Sequence, residues 1–192
     1  LISLGKAGLT GFFLLCMAPS FSYAEAADQL GRALRAEPSA TKVLQDYCRR
    51  LAPGVAITAI PLPTDNLPPP APFRTHFSLS AHEHIRLRHV SLRCGTHVLS
   101  DAWNWYVPER LEPAMNTLLD TTTLPFGHVV AALHFKREAL RSERDNLPPD
   151  ILLRNTAMLT RGADGLPFSL VVENYLASGF AGLVSPARQS HP

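Results

Sequence analysis

Two charged residues fall inside stretches that otherwise read as core strands. In Arg86-Leu87-Arg88-His89-Val90-Ser91-Leu92-Arg93-Cys94, strand alternation puts Arg88 on the face of Val90, Leu92 and Cys94, while His89, Ser91 and Arg93 point the other way. A guanidinium among apolar side chains cannot shed its charge and needs an anion, from a protein carboxylate or from a ligand. In Ser169-Leu170-Val171-Val172-Glu173-Asn174-Tyr175-Leu176, Glu173 shares a face with Val171 and Tyr175, and the opposite face is also largely apolar. A carboxylate so placed can serve as an acid, a base or a hydrogen-bond partner. Two readings stay open at this point. Arg88 and Glu173 serve a ligand, or they form a structural salt bridge with each other.

Other residues with chemical potential carry less. His82-Glu83-His84 puts two imidazoles on one face of an extended segment, but no third metal ligand is placed by the sequence, so these read as exposed strand residues. Trp103 and Trp105 share a face and read as packing anchors. Ser169 and Ser178 lack the context of a nucleophile elbow, and no Gly-rich phosphate loop occurs.

The elements that must position Arg88 and Glu173 follow from periodicity. Ser39-Ala40-Thr41 opens a helix, with Ser39 or Thr41 as N-cap, and Val43, Leu44, Tyr47, Cys48 and Leu51 give it one buried face. Pro53-Gly54 ends it, and 55–60 reads as a strand. The proline-rich run from Pro61 to Pro72 is a stiff loop. Strands are expected over 73–79, 84–94 and 98–107, the last two joined as a hairpin at Gly95-Thr96. A second helix begins near Pro113, and 129–135 reads as a strand. The charged stretch 137–146 is expected to be exposed and helical. Strands 151–160 and 168–176 meet at a turn over 162–165. Hairpins with helices set to one side give an α+β fold around an antiparallel sheet.

In order along the chain, several stretches resemble the chorismate pyruvate-lyase (chorismate lyase) family. Glu37-Pro38-Ser39-Ala40-Thr41-Lys42 is similar to the family's acidic-Ser-x-Thr-Lys helix start, and Arg88-His89-Val90-Ser91-Leu92 to its Arg-bearing strand. Val107-Pro108, Leu124-Pro125-Phe126-Gly127 and Val172-Glu173-Asn174-Tyr175-Leu176 resemble its strand end, its loop and its Glu-bearing last strand. The resemblance spans 37–177. It implies an antiparallel sheet of about six strands with helices packed on one side, and an enclosed pocket. It implies that Arg88 holds the ring carboxylate, that Glu173 is the catalytic residue near the ether oxygen, and that Thr41 and Lys42 line the pocket. The implied reaction is elimination of pyruvate from chorismate, or a related cyclic carboxylate, to give a 4-hydroxybenzoate-type product with no cofactor. Two residues depart from the family. Asn104 stands where a second Arg is usual, and Ala40 where a Met is usual. Chorismate has two carboxylates, so a single Arg fits a mono-carboxylate better. The same fold also serves as a non-catalytic effector-binding module in bacterial regulators, and fold alone does not settle function. The alternative is therefore an exported protein that binds a small aromatic carboxylate without turnover. A third reading has no ligand at all, only a core ion pair.

The N-terminus reads as an export signal. Lys6 precedes an apolar stretch of about 15 residues, Ala7 to Phe21, and Ala24-Glu25-Ala26 follows as a small-x-small exit. A spanning helix needs roughly 20 such residues. The expected organisation is a signal over 1–26, one domain over 27–184 and a disordered tail over 185–192, with an uncleaved anchor as the alternative for the first segment. The protein is expected in the periplasm or outside the cell. Cys48 and Cys94 would remain as a pair in that oxidising compartment, as a disulfide or as two buried thiols. The net charge of +2, 46% hydrophobic and 18% charged residues describe a globular chain. No Lys/Arg block supports nucleic-acid binding. The expected partner is a small aromatic or cyclic carboxylate, bound by a monomer with no nucleic acid, no metal and no stable membrane insertion after signal cleavage.

Overall fold

The computed structural model describes residues 22–65 and 67–184. Residues 1–21, most of the segment expected as an export signal, and residues 185–192, expected as a disordered tail, lie outside the described residues.

Helix α1 (Tyr23–Ala36) begins at Ser22, whose hydroxyl caps Glu25 N–H while the Glu25 carboxylate takes the Ser22 N–H. This reciprocal capping box satisfies two of the donors that a helix start leaves unpaired. Its buried face is Ala26, Ala27, Leu30, Gly31 and Leu34. The bond between Ala26 and Ala27, expected as the signal cleavage point, therefore lies inside a packed helix. Helix α2 (Ala40–Leu51) is capped by Ser39 and buries Ala40, Val43, Leu44, Tyr47 and Cys48.

Six strands follow among the described residues: β1 (Ile57–Pro61), β2 (Arg86–Cys94), β3 (His97–Tyr106), β4 (Lys136–Glu143), β5 (Ile151–Thr160) and β6 (Pro167–Leu176). They form one sheet in the order β1-β2-β3-β6-β5-β4, every neighbouring pair antiparallel. The β2–β3 hairpin turns at Gly95-Thr96, where Gly95 takes φ 58°, a conformation that suits glycine. Helices α3 (Pro113–Thr121) and α4 (Phe126–Val129) lie between β3 and β4 in sequence. The protein is thus α+β, with a six-stranded antiparallel sheet.

One face of the sheet carries the helices. Leu30, Leu34, Leu44 and Tyr47 pack there with Leu92, Leu153 and Tyr175, and Met115, Phe126 and Val129 pack with Leu159 and Val171. The Cys48 and Cys94 sulfurs are joined across this layer, tying α2 to β2 with a Cα–Cα distance of 5.6 Å. The other face is covered by a 3-10 segment, Ala71–Phe77, with Phe77 against Trp105, Met158 and Leu170. Among the described residues, no helix is long and apolar enough to cross a membrane.

Three expected elements differ. Residues 73–79 are not a strand, because Pro70 and Pro72 start a 3-10 turn that Ser78 ends in the left-handed region, φ 45°. Residues 129–135 are not a strand either. They close α4 and form another 3-10 turn, with Val129 and Val130 both buried and so without alternation. The charged stretch 137–146 is not helical; most of it is the edge strand β4. Charged side chains on an edge strand discourage pairing with another chain.

Candidate functional site

Register sets the site. Arg88 on β2 lies directly opposite Asn104 on β3, and Asn104 lies opposite Val171 on β6. One step along, Val90, Ala102 and Glu173 form the next row of the same face. Over these rows sit the start of α2, at Ser39, Ala40 and Thr41, and the start of α4, at Phe126 and Gly127. With Phe135, Arg137 and Leu159 they enclose a cavity of about 40 Å³. The wall is tight. A Cβ on Gly127 would lie 2.9 Å from both the Ser39 and Thr41 hydroxyls, so a glycine is what the approach of α4 to α2 requires.

Arg88 donates from Nη2 to the Leu124 carbonyl at 3.2 Å. Among the described residues it forms no salt bridge. Asp120, a carboxylate whose field reaches Arg88, is held in a two-pronged contact by Arg86 at 2.9 and 3.2 Å. Burial lowers the pKa of Arg88 from its ordinary value, with the Tyr106 and Asp120 fields opposing it. An arginine in this state is a buried charge without its anion.

Asn104 is 4% exposed. Its Oδ1 accepts from the Ser169 hydroxyl, and its Nδ2 has no partner among the described residues. Buried amide donors are rarely left unpaired without reason. The cavity therefore holds two donor groups facing each other across the β2–β3 ladder, neither met by a protein anion.

Glu173 is not partnered by Arg88, so the structural salt bridge considered between those two does not form. Its Oε2 accepts from Arg137 Nη2 at 2.6 Å and from the Tyr175 hydroxyl at 2.9 Å. The Arg137 and Glu173 side chains are each 7% exposed. Burial acts to lower the pKa of Arg137, but the Glu173 charge leads the contributions that raise it, and the net direction is upward. Burial first, then the Glu173 charge, pushes the Tyr175 hydroxyl well above its usual value, so it remains a donor.

Arg88, Asn104, Thr41 and Glu173 thus line one cavity. Lys42 does not join them. It is 60% exposed, bonds Glu37 at 2.9 Å, and lines a second, outer basin of about 590 Å³. Sequence reasoning missed Arg137, which sat in the stretch read as an exposed helix. Counting charges in the inner cavity, Arg137 and Glu173 cancel and Arg88 is left over. The arrangement can hold one carboxylate through a guanidinium and an amide N–H.

His82-Glu83-His84 is not a strand. Glu83 meets the buried Arg110 at 2.6 and 2.7 Å, and His84 pairs with Glu109. Among the described residues no three His, Cys, Asp or Glu side chains cluster as metal ligands would.

No protein-family model matches the chain. The uncharacterized protein y4mC of Sinorhizobium fredii is 37% identical to it, over 74% of this chain and 70% of that protein. Among solved structures, the candidate transcriptional regulator YydK of Bacillus subtilis is similar with a TM-score of 0.45 and 11% identity; the match covers 66% of this chain and spans 61% of that one. The ligand-binding domain of a candidate GntR-family transcriptional regulator from Bordetella bronchiseptica gives a TM-score of 0.46 and 14% identity, over 65% of this chain and 85% of that one.

Proposed function

The chain belongs to the family of the Sinorhizobium fredii protein y4mC, and we propose that it binds a small organic monocarboxylate on Arg88 and Asn104, without a metal or organic cofactor. The observation that carries this reading is a buried cation without an anion beside a buried donor without an acceptor. Arg88 lacks an anion, and the buried Nδ2 of Asn104, directly opposite, lacks any acceptor. A carboxylate satisfies both at once. The single surplus positive charge in the cavity matches a single negative charge in the ligand.

Elimination of pyruvate from chorismate is the second reading, favoured by Glu173 lining the same cavity. Two features weigh against it. Chorismate brings two carboxylates to one surplus cation. Elimination also needs a group that gives and takes a proton, whereas Glu173 serves here as the acceptor for Arg137 and Tyr175. Export remains part of the proposal, and a disulfide suits an oxidising compartment. The capping box at Ser22 and Glu25 argues for a mature N-terminus that keeps Ser22, which N-terminal sequencing of the exported protein would read directly.

The test is calorimetry with benzoate and 4-hydroxybenzoate, alongside pyruvate release from chorismate. Wild-type protein is expected to bind the carboxylates and to release no pyruvate. Arg88→Met is expected to weaken binding by ten- to hundredfold, the loss of a charged hydrogen bond worth about 1.5–3 kcal/mol. It is also expected to raise the melting temperature of the empty protein, because a desolvated, uncompensated charge is gone. A lower melting temperature together with no carboxylate binding by wild type would overturn the reading.

A further inference from the structure

The inner cavity is too small for the whole of a ring-bearing ligand. It offers about 40 Å³, whereas an apolar cavity that takes benzene is on the order of 150 Å³. The outer basin, of about 590 Å³, shares Pro38, Ser39, Thr41, Gly127 and Phe135 with it. That common wall is two hydroxyls, a glycine, a proline and one ring. Arg88 reaches toward the basin, since the Leu124 carbonyl it bonds belongs to a residue of the basin wall. The buried part of the basin wall is apolar, with Ile57, Pro125 and Phe135 and the half-buried Leu124 beside them. Its rim carries His128 and His134 and two full cations, and the cations are already compensated. Lys42 pairs with Glu37, and Arg49 pairs with Asp46.

Resting on the carboxylate reading, we infer that the ligand is an amphiphile: a carboxylate head seated on Arg88 and Asn104, and an uncharged aliphatic tail lying in the outer basin between α2 and the segment from α4 to Phe135. The unpaired Arg88 charge and the free Asn104 N–H select the head, and the apolar wall selects the tail. A second carboxylate at the far end of the ligand would find Lys42 and Arg49 already paired, and only the imidazoles of His128 and His134 left to meet it.

The experiment is calorimetry on the full domain with butyrate, hexanoate, octanoate and decanoate below their aggregation concentrations, with decanol as the uncharged control and benzoate as a tail-less acid. Affinity is expected to rise about fourfold per added methylene, the fold-change that corresponds to burial of one CH₂. Ala131→Trp, which fills the basin from an exposed position, is expected to flatten that dependence. Arg88→Met is expected to weaken every acid and leave decanol unaffected. If benzoate and butyrate bind in an Arg88-dependent way but length brings no gain, the tail inference is overturned and the carboxylate reading survives. Decanol binding as tightly as decanoate would overturn the inferred head group. No binding by any acid, benzoate included, would overturn both.

Discussion

Arg137→Met removes the guanidinium that faces Glu173 at 2.6 Å while keeping much of the side-chain volume. Glu173 then stands in the cavity wall with only the Tyr175 hydroxyl donating to it. Removing one member of a buried ion pair typically costs about 3–5 kcal/mol, because the remaining charge is stranded. For a domain of this size each kcal/mol moves the melting temperature by roughly 2–4 °C, so a fall of about 6–20 °C is expected. Adding Glu173→Gln removes the stranded charge. The double variant is expected to lose only about 1–2 kcal/mol, less than Arg137→Met alone and well short of the sum of the two single losses, which is the signature of coupling between the two positions. Urea unfolding at pH 7, followed by circular dichroism and extrapolated linearly, measures all four corners of the cycle. A single variant that loses less than about 1 kcal/mol, or a double variant that loses the sum of the two singles, would refute the assignment of Arg137 and Glu173 as a coupled buried pair.

The Arg110–Glu83 contact should govern acid stability. Hydrogen bonds from Arg110, then from the Ser80 backbone, hold the Glu83 carboxyl down at about 2, against an ordinary value of 4.5. The folded pKa is depressed, so this stabilisation is present above pH 4.5 and fades as pH falls toward 2. Glu83→Gln should flatten the melting temperature's pH dependence across that window. Opening the Cys48–Cys94 bond, which spans a sequence separation of 46, should cost up to about 4 kcal/mol on the chain-entropy relation; unfolding with and without reductant reads it. Gly179→Ala should destabilise by roughly 1–3 kcal/mol, because a Cβ there meets the Val98 carbonyl and lies 2.9 Å from the Leu99 Cα. A denaturation midpoint equal to wild type would contradict that packing.

Asn104 was reached only through the family resemblance, because the hairpin slips register between Leu92 and Arg93, and counting from its turn alone would set Trp103 opposite Arg88. Arg88 was legible because alternation along β2 puts it on the face of Val90 and Leu92. Glu173 was legible for the same reason, but its partner was not. β4 carries a bulge between Ala139 and Arg141, which turns Arg141 to the opposite face from Arg137. The period of two is broken in mid-strand, and the stretch is rich in charge, so it reads as an exposed helix. The 3-10 turns over Ala71–Phe77 and Ala131–Leu133 were misread because short apolar runs carry no period of their own. Helix α1 was overlooked because its first turn overlaps the small-x-small pattern of an export signal. The Ser22-x-x-Glu25 box was there to be read.

The sheet order has a consequence for assembly. Strands β2 and β3 form one hairpin, β5 and β6 another, and the two meet only along β3 and β6. Arg88 and Asn104 come from the first hairpin, Glu173 from the second, and Arg137 from the strand that extends it. The cavity is therefore a property of the seam, present in neither half. The disulfide joins α2 to β2 and reaches no strand of the second hairpin, so it does not by itself enforce that docking. Contacts of long sequence separation form late and at high entropic cost. Acquisition of carboxylate affinity should thus be a time-stamp for the closing of that seam, and an oxidised, half-assembled chain should be deaf to the ligand.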